Sequence, residues 1–271
     1  MLGSSTSAMP FDSLVTIDDN RPLSRSGYVV TFRSPRLAAE TRPGQFVMLG
    51  FPVGTDPLLR RPYSIYRVGR PGYAADMCEV QYKVVGAGTA RLASMRPGET
   101  LTCLGPLGRG FMSPPAGREP VLVAGGIGIA GLLHLAAELR AADHRPALLF
   151  GCRDAEDVAL AEGFQALAIP AEIATEDGSV GAKGLVTVLL EARIGAGPIE
   201  IYACGPHPML RAVARLAAGR AGCQVAMESH MACGFGVCLG CVVPTASGTG
   251  YERYVRACVE GPVFRAEEIA W

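Results

Sequence analysis

Hydrophobic residues follow a short-period pattern between residues 11 and 116. Apolar and polar residues alternate there, or β-branched residues dominate, in runs that glycine and proline separate from one another. The runs are SLVTID, GYVVTFRS, QFVMLGF, MCEVQYKVV and TLTCLGPLG. Because many short strands at this spacing are typical of barrels and sandwiches, we predict a small antiparallel β-barrel for this part of the chain.

The pattern changes between residues 117 and 219, where strand-like and helix-like segments alternate. Continuous apolar runs indicate buried parallel strands at VLVAGG, PALLFGC, AEIAT and PIEIYACG. Helix-period segments follow at IAGLLHLAAELRAA and PMLRAVARLAAG. This alternation predicts a doubly wound parallel sheet, whose ligands bind at the carboxyl ends of the strands.

Both ends of the chain differ from these two domains. Residues 1–10 are small and polar, and we expect a disordered leader. Residues 220–271 are too few to build a core of their own, so we expect a bound metal cluster to hold this small C-terminal domain together.

Four cysteines of the C-terminal domain have a spacing with chemical meaning: Cys233, Cys238, Cys241 and Cys258. Cys-x4-Cys-x2-Cys followed by a distant cysteine is the plant-type 2Fe–2S spacing. Glycines between the first three cysteines allow the tight curl that such a loop needs. Zinc is the alternative, but zinc sites usually contain two Cys-x2-Cys pairs and only one occurs here.

The remaining cysteines and the overall charge limit where the protein acts. Five cysteines lie in apolar surroundings and are expected to be buried reduced thiols, which favours a cytoplasmic location: Cys78, Cys103, Cys152, Cys204 and Cys223. Lys and Arg number 25, as do Asp and Glu, so nothing favours nucleic acid or an anionic membrane as a partner. No apolar run is long enough to predict a membrane span.

Two motifs of the predicted barrel point to a flavin dinucleotide. Arg61, Pro62, Tyr63 and Ser64 combine a guanidinium for phosphate, a ring for stacking and a hydroxyl donor. Gly86, Gly88 and Thr89 precede an amphipathic stretch, Ala90–Met95, as in turns that present helix amides to phosphate. An ordinary arginine-flanked strand and a plain tight turn are the alternatives.

Three motifs of the predicted parallel sheet point to a dinucleotide. Gly126 and Gly128 lie in a glycine-rich turn between a strand and a helix, as a pyrophosphate site requires, although the turn does not fit Gly-x-Gly-x-x-Gly strictly. Ser179 ends the loop TEDGS, which suits either a ribose or a surface turn. Cys204, Gly205 and Pro206 follow a strand, either beside a nicotinamide or as a turn with an inert cysteine.

The order of these motifs resembles the ferredoxin–NADP reductase superfamily over most of residues 11–218. The stretches MESHMACGFGVCLGC and CVEGPVF then resemble the electron-transfer subunit of class 1B dihydroorotate dehydrogenase. The resemblance implies a β plus α/β fold: an FAD-binding antiparallel barrel (11–116), a doubly wound NAD-binding domain (117–219) and a small 2Fe–2S domain (220–271). Two positions depart from the family pattern, namely Gly131, where proline is common, and Val188, where aspartate is common.

The resemblance also implies roles for individual residues. Arg61 and the adjoining Pro62 would hold the FAD pyrophosphate together with Gly86, Gly88 and Thr89, and Tyr63 would lie against the isoalloxazine. Ser64 near the flavin N5 and Cys204 near the nicotinamide are the catalytic candidates. Gly126, Gly128, Ser179, Gly205 and Pro206 would surround the NAD, and the four spaced cysteines would bind the cluster.

The function implied is electron transfer. Electrons would pass between NADH, FAD, the cluster and the FMN of a separate dihydroorotate dehydrogenase subunit, and the two kinds of subunit would form a heterotetramer. Without its partner, this polypeptide would act as an NADH-oxidising diaphorase. A reductase subunit of another NAD(P)H-dependent ferredoxin or sulfur-reducing complex is one alternative. A zinc-stapled binding module without activity is another, and its lack of visible colour would identify it.

Overall fold

The computed structural model describes residues 9–54, 56–69 and 74–271. Apart from residues 9 and 10, the predicted leader lies outside the described residues. The described chain contains two large sheets and a small hairpin. No helix in these ranges is both long enough and apolar enough to cross a membrane.

The first sheet has seven strands, and every neighbouring pair is antiparallel. Its strand order is β4-β3-β7-β1-β2-β6-β5, with bounds β1 (Phe11–Pro22), β2 (Gly27–Arg33), β3 (Phe46–Gly50), β4 (Arg61–Ser64), β5 (Arg67–Val68), β6 (Met77–Lys83) and β7 (Thr100–Leu107). Two helices, α1 (Pro35–Glu40) and α2 (Ala87–Ser94), accompany it. The sheet confirms the predicted antiparallel architecture.

Strand β1 shows why this sheet curls. Its first half pairs with β7 and its second half with β2, and the register shifts between Ile17 and Asp19. Such an irregularity bends a strand and increases its twist. Val15 and Ile17 alternate with exposed residues and pack into the interior that the curled sheet surrounds.

The second sheet also has seven strands and is parallel except at one edge. Its order is β11-β10-β9-β8-β12-β13-β16, with bounds β8 (Glu119–Gly125), β9 (Ala147–Cys152), β10 (Ala171–Thr175), β11 (Ala182–Lys183), β12 (Ile199–Cys204), β13 (Gly222–Ala226) and β16 (Val263–Arg265). The helices of this part are α3 (Leu133–Ala141), α4 (Glu162–Ala166), α5 (Thr187–Arg193) and α6 (His207–Ala217). Because the strand order reverses between β8 and β12, a ligand crevice is expected at their carboxyl ends.

The C-terminal segment packs on this second sheet. Its hairpin consists of β14 (Val242–Pro244) and β15 (Tyr254–Arg256), and β16 then pairs antiparallel with β13. Phe264 and Ile269 join the same buried cluster as Ile201 of β12. The expectation that a bound cluster holds this segment is incomplete, because the segment also shares the core of the parallel sheet. The predicted domain bounds remain a prediction, and this sheet includes strands on both sides of residue 219.

Polar contacts hold the two large sheets together beside the site. The 3-10 segment Ala155–Ala161, which follows β9, faces β6 of the first sheet. The Lys83 Nζ atom lies 2.7 Å from Asp157 Oδ1, and the Gln81 amide donates to the Leu160 carbonyl over 2.9 Å. These side chains are largely buried, so the pairs fix how the first sheet faces the second.

Candidate functional site

One pocket of about 760 Å³ lies where three parts of the chain meet. The first sheet contributes β4 and the end of β6, and the second sheet contributes the turns after β8 and β12. The C-terminal segment closes the third side. Residues lining the pocket include Arg61, Pro62, Tyr63, Ser64, Gln81, Lys83, Thr89, Ile127, Gly131, Cys204, Glu228, His230 and Gly240.

One end of the pocket lies between Arg61 and the first turn of α2. A Cβ atom on Gly88 would lie 2.8 Å from Arg61 Nε, so the guanidinium packs closely against the first turn of α2 at a residue without a side chain. The Thr89 hydroxyl accepts hydrogen bonds from the amides of Val85 (2.9 Å) and Gly86 (3.1 Å), which fixes this turn. The amides of a first helical turn have no partner within the helix. Arg61 and these amides together suit a phosphate group.

The middle of the pocket has an aromatic side chain and, within the part of the chain that the structure describes, a hydrogen-bond acceptor without a donor. Tyr63 lies edge-on to Tyr82 with ring centroids 6.1 Å apart, and burial raises the pKa of the Tyr63 phenol to about 12. Gln81 is buried, and its Oε1 atom has no hydrogen-bond partner among the described residues. A buried acceptor left in this way costs about 1–3 kcal/mol unless a ligand donor meets it. An aromatic surface, an acceptor and an anion end therefore fit a flavin dinucleotide.

The two turns at the reversal point of the second sheet meet backbone to backbone. A Cβ atom on Gly128 would lie 2.5 Å from the Cys204 carbonyl oxygen, so only glycine allows this approach. Gly126 and Gly205 both adopt positive φ, at 51° and 156°. The predicted helix from residue 129 begins instead at Leu133, because Gly126–Gly131 forms a 3-10 turn. These turns place Gly126, Gly128 and Gly205 where a dinucleotide pyrophosphate is expected.

Ser64 of the first sheet and Cys204 of the second converge on Gly131. A Cβ atom on Gly131 would lie 3.0 Å from Cys204 Sγ and 3.4 Å from Ser64 Oγ. The structure thus brings together the two residues predicted to be catalytic. Burial raises the pKa of the Cys204 thiol well above its ordinary value, and the nearby Glu228 adds to the effect. The thiol is therefore neutral at physiological pH.

Glu228 is a pocket residue that the sequence analysis missed. The residue is exposed, and desolvation by the surrounding protein raises the pKa of its carboxyl. A single carboxylate with no motif around it gives no chemical pattern to search for. Its position five residues before Cys233, in MESHMACG, was the available indication.

Ser179 lies outside the wall of this pocket, in the exposed loop after β10. Its amide and hydroxyl both donate to Asp177 Oδ1, over 2.9 and 2.7 Å, and these bonds lower the pKa of the Asp177 carboxyl. Thr175 is buried, and its hydroxyl donates to the Val180 carbonyl. A contact between Ser179 and a nucleotide remains a prediction.

The four spaced cysteines approach one another in two pairs. The Cys238 amide donates to Cys233 Sγ over 3.5 Å, and Cys238 is the exposed member of the set. Cys241 and Cys258 are both buried, and burial together with a hydrogen bond to Cys241 raises the pKa of the Cys258 thiol to about 12. Burial alone would raise the pKa of the Cys233 thiol, but several backbone amides donate to it and lower the value to about 6.

The arrangement of the cysteines in two pairs can be compared with the geometry of the two metal sites that the spacing allows, a zinc ion and a 2Fe–2S cluster. Nowhere in residues 9–54, 56–69 and 74–271 do three His, Cys, Asp or Glu side chains converge as ligands of one ion. A zinc site would need four ligands around a single point. A 2Fe–2S core has two irons that share four thiolates, so two pairs of cysteines fit it better.

The five other cysteines are buried, as predicted. Cys78, Cys103, Cys152, Cys204 and Cys223 are all buried and free. Apart from Cys204, none of them lines the pocket.

Comparisons with known proteins agree with this geometry. Residues 228–270 match the iron–sulfur cluster binding domain of dihydroorotate dehydrogenase B, and residues 122–215 match the oxidoreductase NAD-binding domain. A chain from the structure of an NADH-dependent reduced ferredoxin–NADP oxidoreductase superposes with a TM-score of 0.82 at 26% identity, covering 100% of this chain and 92% of its own. A ferredoxin–NADP⁺ reductase from Neisseria gonorrhoeae shares the fold, with a TM-score of 0.65 at 20% identity, covering 82% of this chain and 95% of its own.

Relatives in sequence extend over almost the whole chain. The dihydroorotate dehydrogenase B (NAD⁺) electron transfer subunit of Bacillus caldolyticus is 40% identical over 260 residues, which cover 94% of this chain and 97% of that one. The subunit of the same name from Desulforamulus reducens is 37% identical over 246 residues, covering 90% and 92%. The chain therefore belongs to the family of dihydroorotate dehydrogenase B electron transfer subunits, as its sequence motifs predict.

Proposed function

We propose that this chain carries electrons between NAD(H) and the FMN-containing catalytic subunit of a dihydroorotate dehydrogenase, through FAD and a 2Fe–2S cluster. The observation that carries the proposal is that one pocket is lined by Ser64, Cys204 and Gly240. Ser64 comes from the first sheet, Cys204 from the second sheet, and Gly240 from the cysteine loop, which is the segment Cys233–Cys241. Three cofactors that exchange electrons must lie close together, and this pocket is the place where the three parts meet.

When bound, FAD would supply hydride exchange with a nicotinamide, and the cluster would supply transfer of single electrons. The chain's own residues bind and orient. Arg61 and the first turn of α2 hold the FAD pyrophosphate, and Tyr63 lies against the ring. Ser64 and the neutral Cys204 thiol form the uncharged surface where flavin and nicotinamide meet. The turns that contain Gly126, Gly128, Gly205 and Pro206 leave room for the NAD pyrophosphate. Ser179, outside the pocket wall, contacts the nucleotide.

The cysteine pairs divide the cluster between them in this proposal. Cys233 and Cys238 would hold one iron, and Cys241 and Cys258 would hold the other. Arg256 braces the loop, because its guanidinium donates to the Gly236 carbonyl over 3.1 Å and pairs with Glu260 at 2.6 Å. The same backbone amides that lower the pKa of Cys233 stabilise thiolate sulfur, which is the form that binds iron.

The catalytic partner docks over the cysteine loop. Three apolar side chains of this loop are exposed, with fractional exposures of 51% for Phe235, 74% for Val237 and 60% for Leu239. Exposed apolar residues beside the cluster suit a surface that a second subunit covers. Two copies of each subunit form a heterotetramer, and the reduced thiols of the chain fit a cytoplasmic location.

Reconstitution with the catalytic subunit tests the proposed function. The purified chain is expected to absorb in the visible range through both flavin and cluster, and to oxidise NADH with an artificial dye. With the catalytic subunit added, dihydroorotate oxidation should reduce NAD⁺. A colourless protein containing zinc, or a coloured one that never supports dihydroorotate-dependent NAD⁺ reduction, would contradict the proposal.

The structural similarity to an NADH-dependent reduced ferredoxin–NADP oxidoreductase favours a second candidate. In that case the chain would serve a ferredoxin-coupled complex, and the partner would differ while the pocket kept its role. Reduction of ferredoxin in the presence of the native partner, without any response to dihydroorotate, would support this second function.

Replacing Arg61 with alanine is expected to weaken FAD binding. The change removes a charge-assisted phosphate contact worth about 1.5–3 kcal/mol, so affinity should fall roughly tenfold to over a hundredfold. Flavin release on dilution, followed by fluorescence, measures the effect. Arg60→Ala is the matched control, because the neighbouring Arg60 instead pairs with Asp12 at 2.7 Å. If the Arg61→Ala protein retained FAD as tightly as the wild type, the phosphate contact would have to lie elsewhere.

A further inference from the structure

A second cavity lies at the amino ends of strands β8, β12 and β13, opposite the carboxyl ends that face the first pocket. It measures about 460 Å³, and its wall includes Arg118, Arg220, Arg265, Glu200 and Glu267. Glu200 lies near the start of β12, whereas Cys204 at the flavin pocket ends the same strand. Four residues of extended strand span roughly 13 Å, so the two cavities are separate.

A fully buried carboxylate organises this cavity. Glu200 Oε2 accepts from Arg118 Nη1 over 3.1 Å, and Oε1 accepts from Arg265 Nη1 over 2.6 Å and from Gln224 Nε2 over 3.2 Å. Both carboxylate oxygens are therefore satisfied, and neither is left for a cation. The two guanidinium groups are held in place, and each has five N–H donors, most of which remain for other partners.

The third arginine of the cavity wall is Arg220. Arg220 is exposed just after α6, and within the described residues it makes no ion pair, only a long contact of 3.4 Å to the Ile194 carbonyl. Glu267 is also exposed and forms no ion pair in the same described part of the chain. Three arginines against two glutamates leave the cavity with a positive charge, and an exposed glutamate is able to turn towards solvent.

We propose that this cavity binds a phosphate group. Planar guanidinium forks match the oxygens of phosphate, and two of the three are already oriented by Glu200, which lowers the entropic cost of binding. The net positive charge favours an anion over a divalent cation. The proposed electron-transfer function uses none of these residues, so the site is additional to it.

Titration of the FAD-loaded protein tests the proposal, since bound FAD occupies the anion end formed by Arg61. Inorganic phosphate and adenosine monophosphate are titrated at constant ionic strength and followed by calorimetry. Saturable binding is expected, and Arg220→Ala should weaken it roughly tenfold or more. Glu267→Gln should tighten it. Arg215→Ala, an exposed arginine on α6 with the same charge change, should have no effect.

The variants avoid Arg118 and Arg265, because removing either would leave Glu200 buried with a lost partner and threaten folding. Tighter binding of the monophosphate than of phosphate would support the site and assign it to a nucleotide; equal binding would support it and assign it to free phosphate. Absence of saturable binding would overturn the proposal. So would binding that survives Arg220→Ala unchanged, or that Arg215→Ala weakens equally, because the ions would then bind at the NAD site or through general charge.

Discussion

Replacing Cys258 with serine is expected to abolish the 2Fe–2S cluster, and Cys233→Ser, Cys238→Ser and Cys241→Ser should do the same. Cys258 is buried against Cys241, so its loss leaves one iron with a single thiolate from this pair. Iron and acid-labile sulfide content, together with the visible spectrum, measure the result.

Cys223→Ser and Cys78→Ser are the matched controls for this change. Both place a serine hydroxyl at a buried position, as Cys258→Ser does, but neither residue belongs to the spaced set. They should keep full iron and sulfide content even if they lower the free energy of unfolding. A cluster at full occupancy in the Cys258→Ser protein would show that the fourth ligand is another residue.

Replacing Cys238 with serine is expected to separate the two halves of the electron path. NADH should still reduce ferricyanide or a two-electron dye, because in the proposed function the nicotinamide would meet only the flavin, between Ser64 and Cys204. Transfer to the FMN of the catalytic subunit should fall to background, because electrons reach the partner through the cluster. Rates with dye and with partner are compared for wild type and variant at matched flavin content.

The structure makes this comparison feasible. Cys238 is exposed, so serine there changes little packing. The C-terminal segment should remain folded without the cluster, because β16 pairs with β13 and Phe264 lies in the shared core. Circular dichroism and limited proteolysis check this point. Equal loss of both rates in a folded variant would mean that the cluster supports the flavin site itself, and the relay would have to be abandoned.

Much of the site could be predicted from local sequence patterns. The spacing of the four cysteines indicated the cluster because three ligands lie on one short loop, and that distance is set along the chain. Strand β8 and the glycines after it were predicted for the same reason, since a strand, a turn and a helix in succession are local. The family, the fold class and the functional class were confirmed by the comparisons.

Other features depend on contacts between distant parts of the chain. Gly131 has Ser64 and Cys204 beside it, and no local pattern measures that approach. Glu228 enters the pocket only because β13 ends there. The short strands β13 and β16 were missed as part of the parallel sheet, because both lie in residues 220–271, which the cysteine spacing assigned to a separate domain.

The amino-acid sequence by itself determined which chemistry the chain carries: thiolates at the spacing of a 2Fe–2S cluster, an arginine and a helix start for phosphate, and glycine turns after parallel strands. Each of these motifs is formed mainly by residues close together in the sequence, where backbone geometry follows from residue type. Contacts across the core establish that the parts of the chain that carry these groups meet at one pocket, that the cysteines approach in two pairs, and that Glu200 orders arginines at the amino ends of the parallel strands. These depend on how β4, β12 and β16 pack across long sequence separations, and such packing is a property of the whole core.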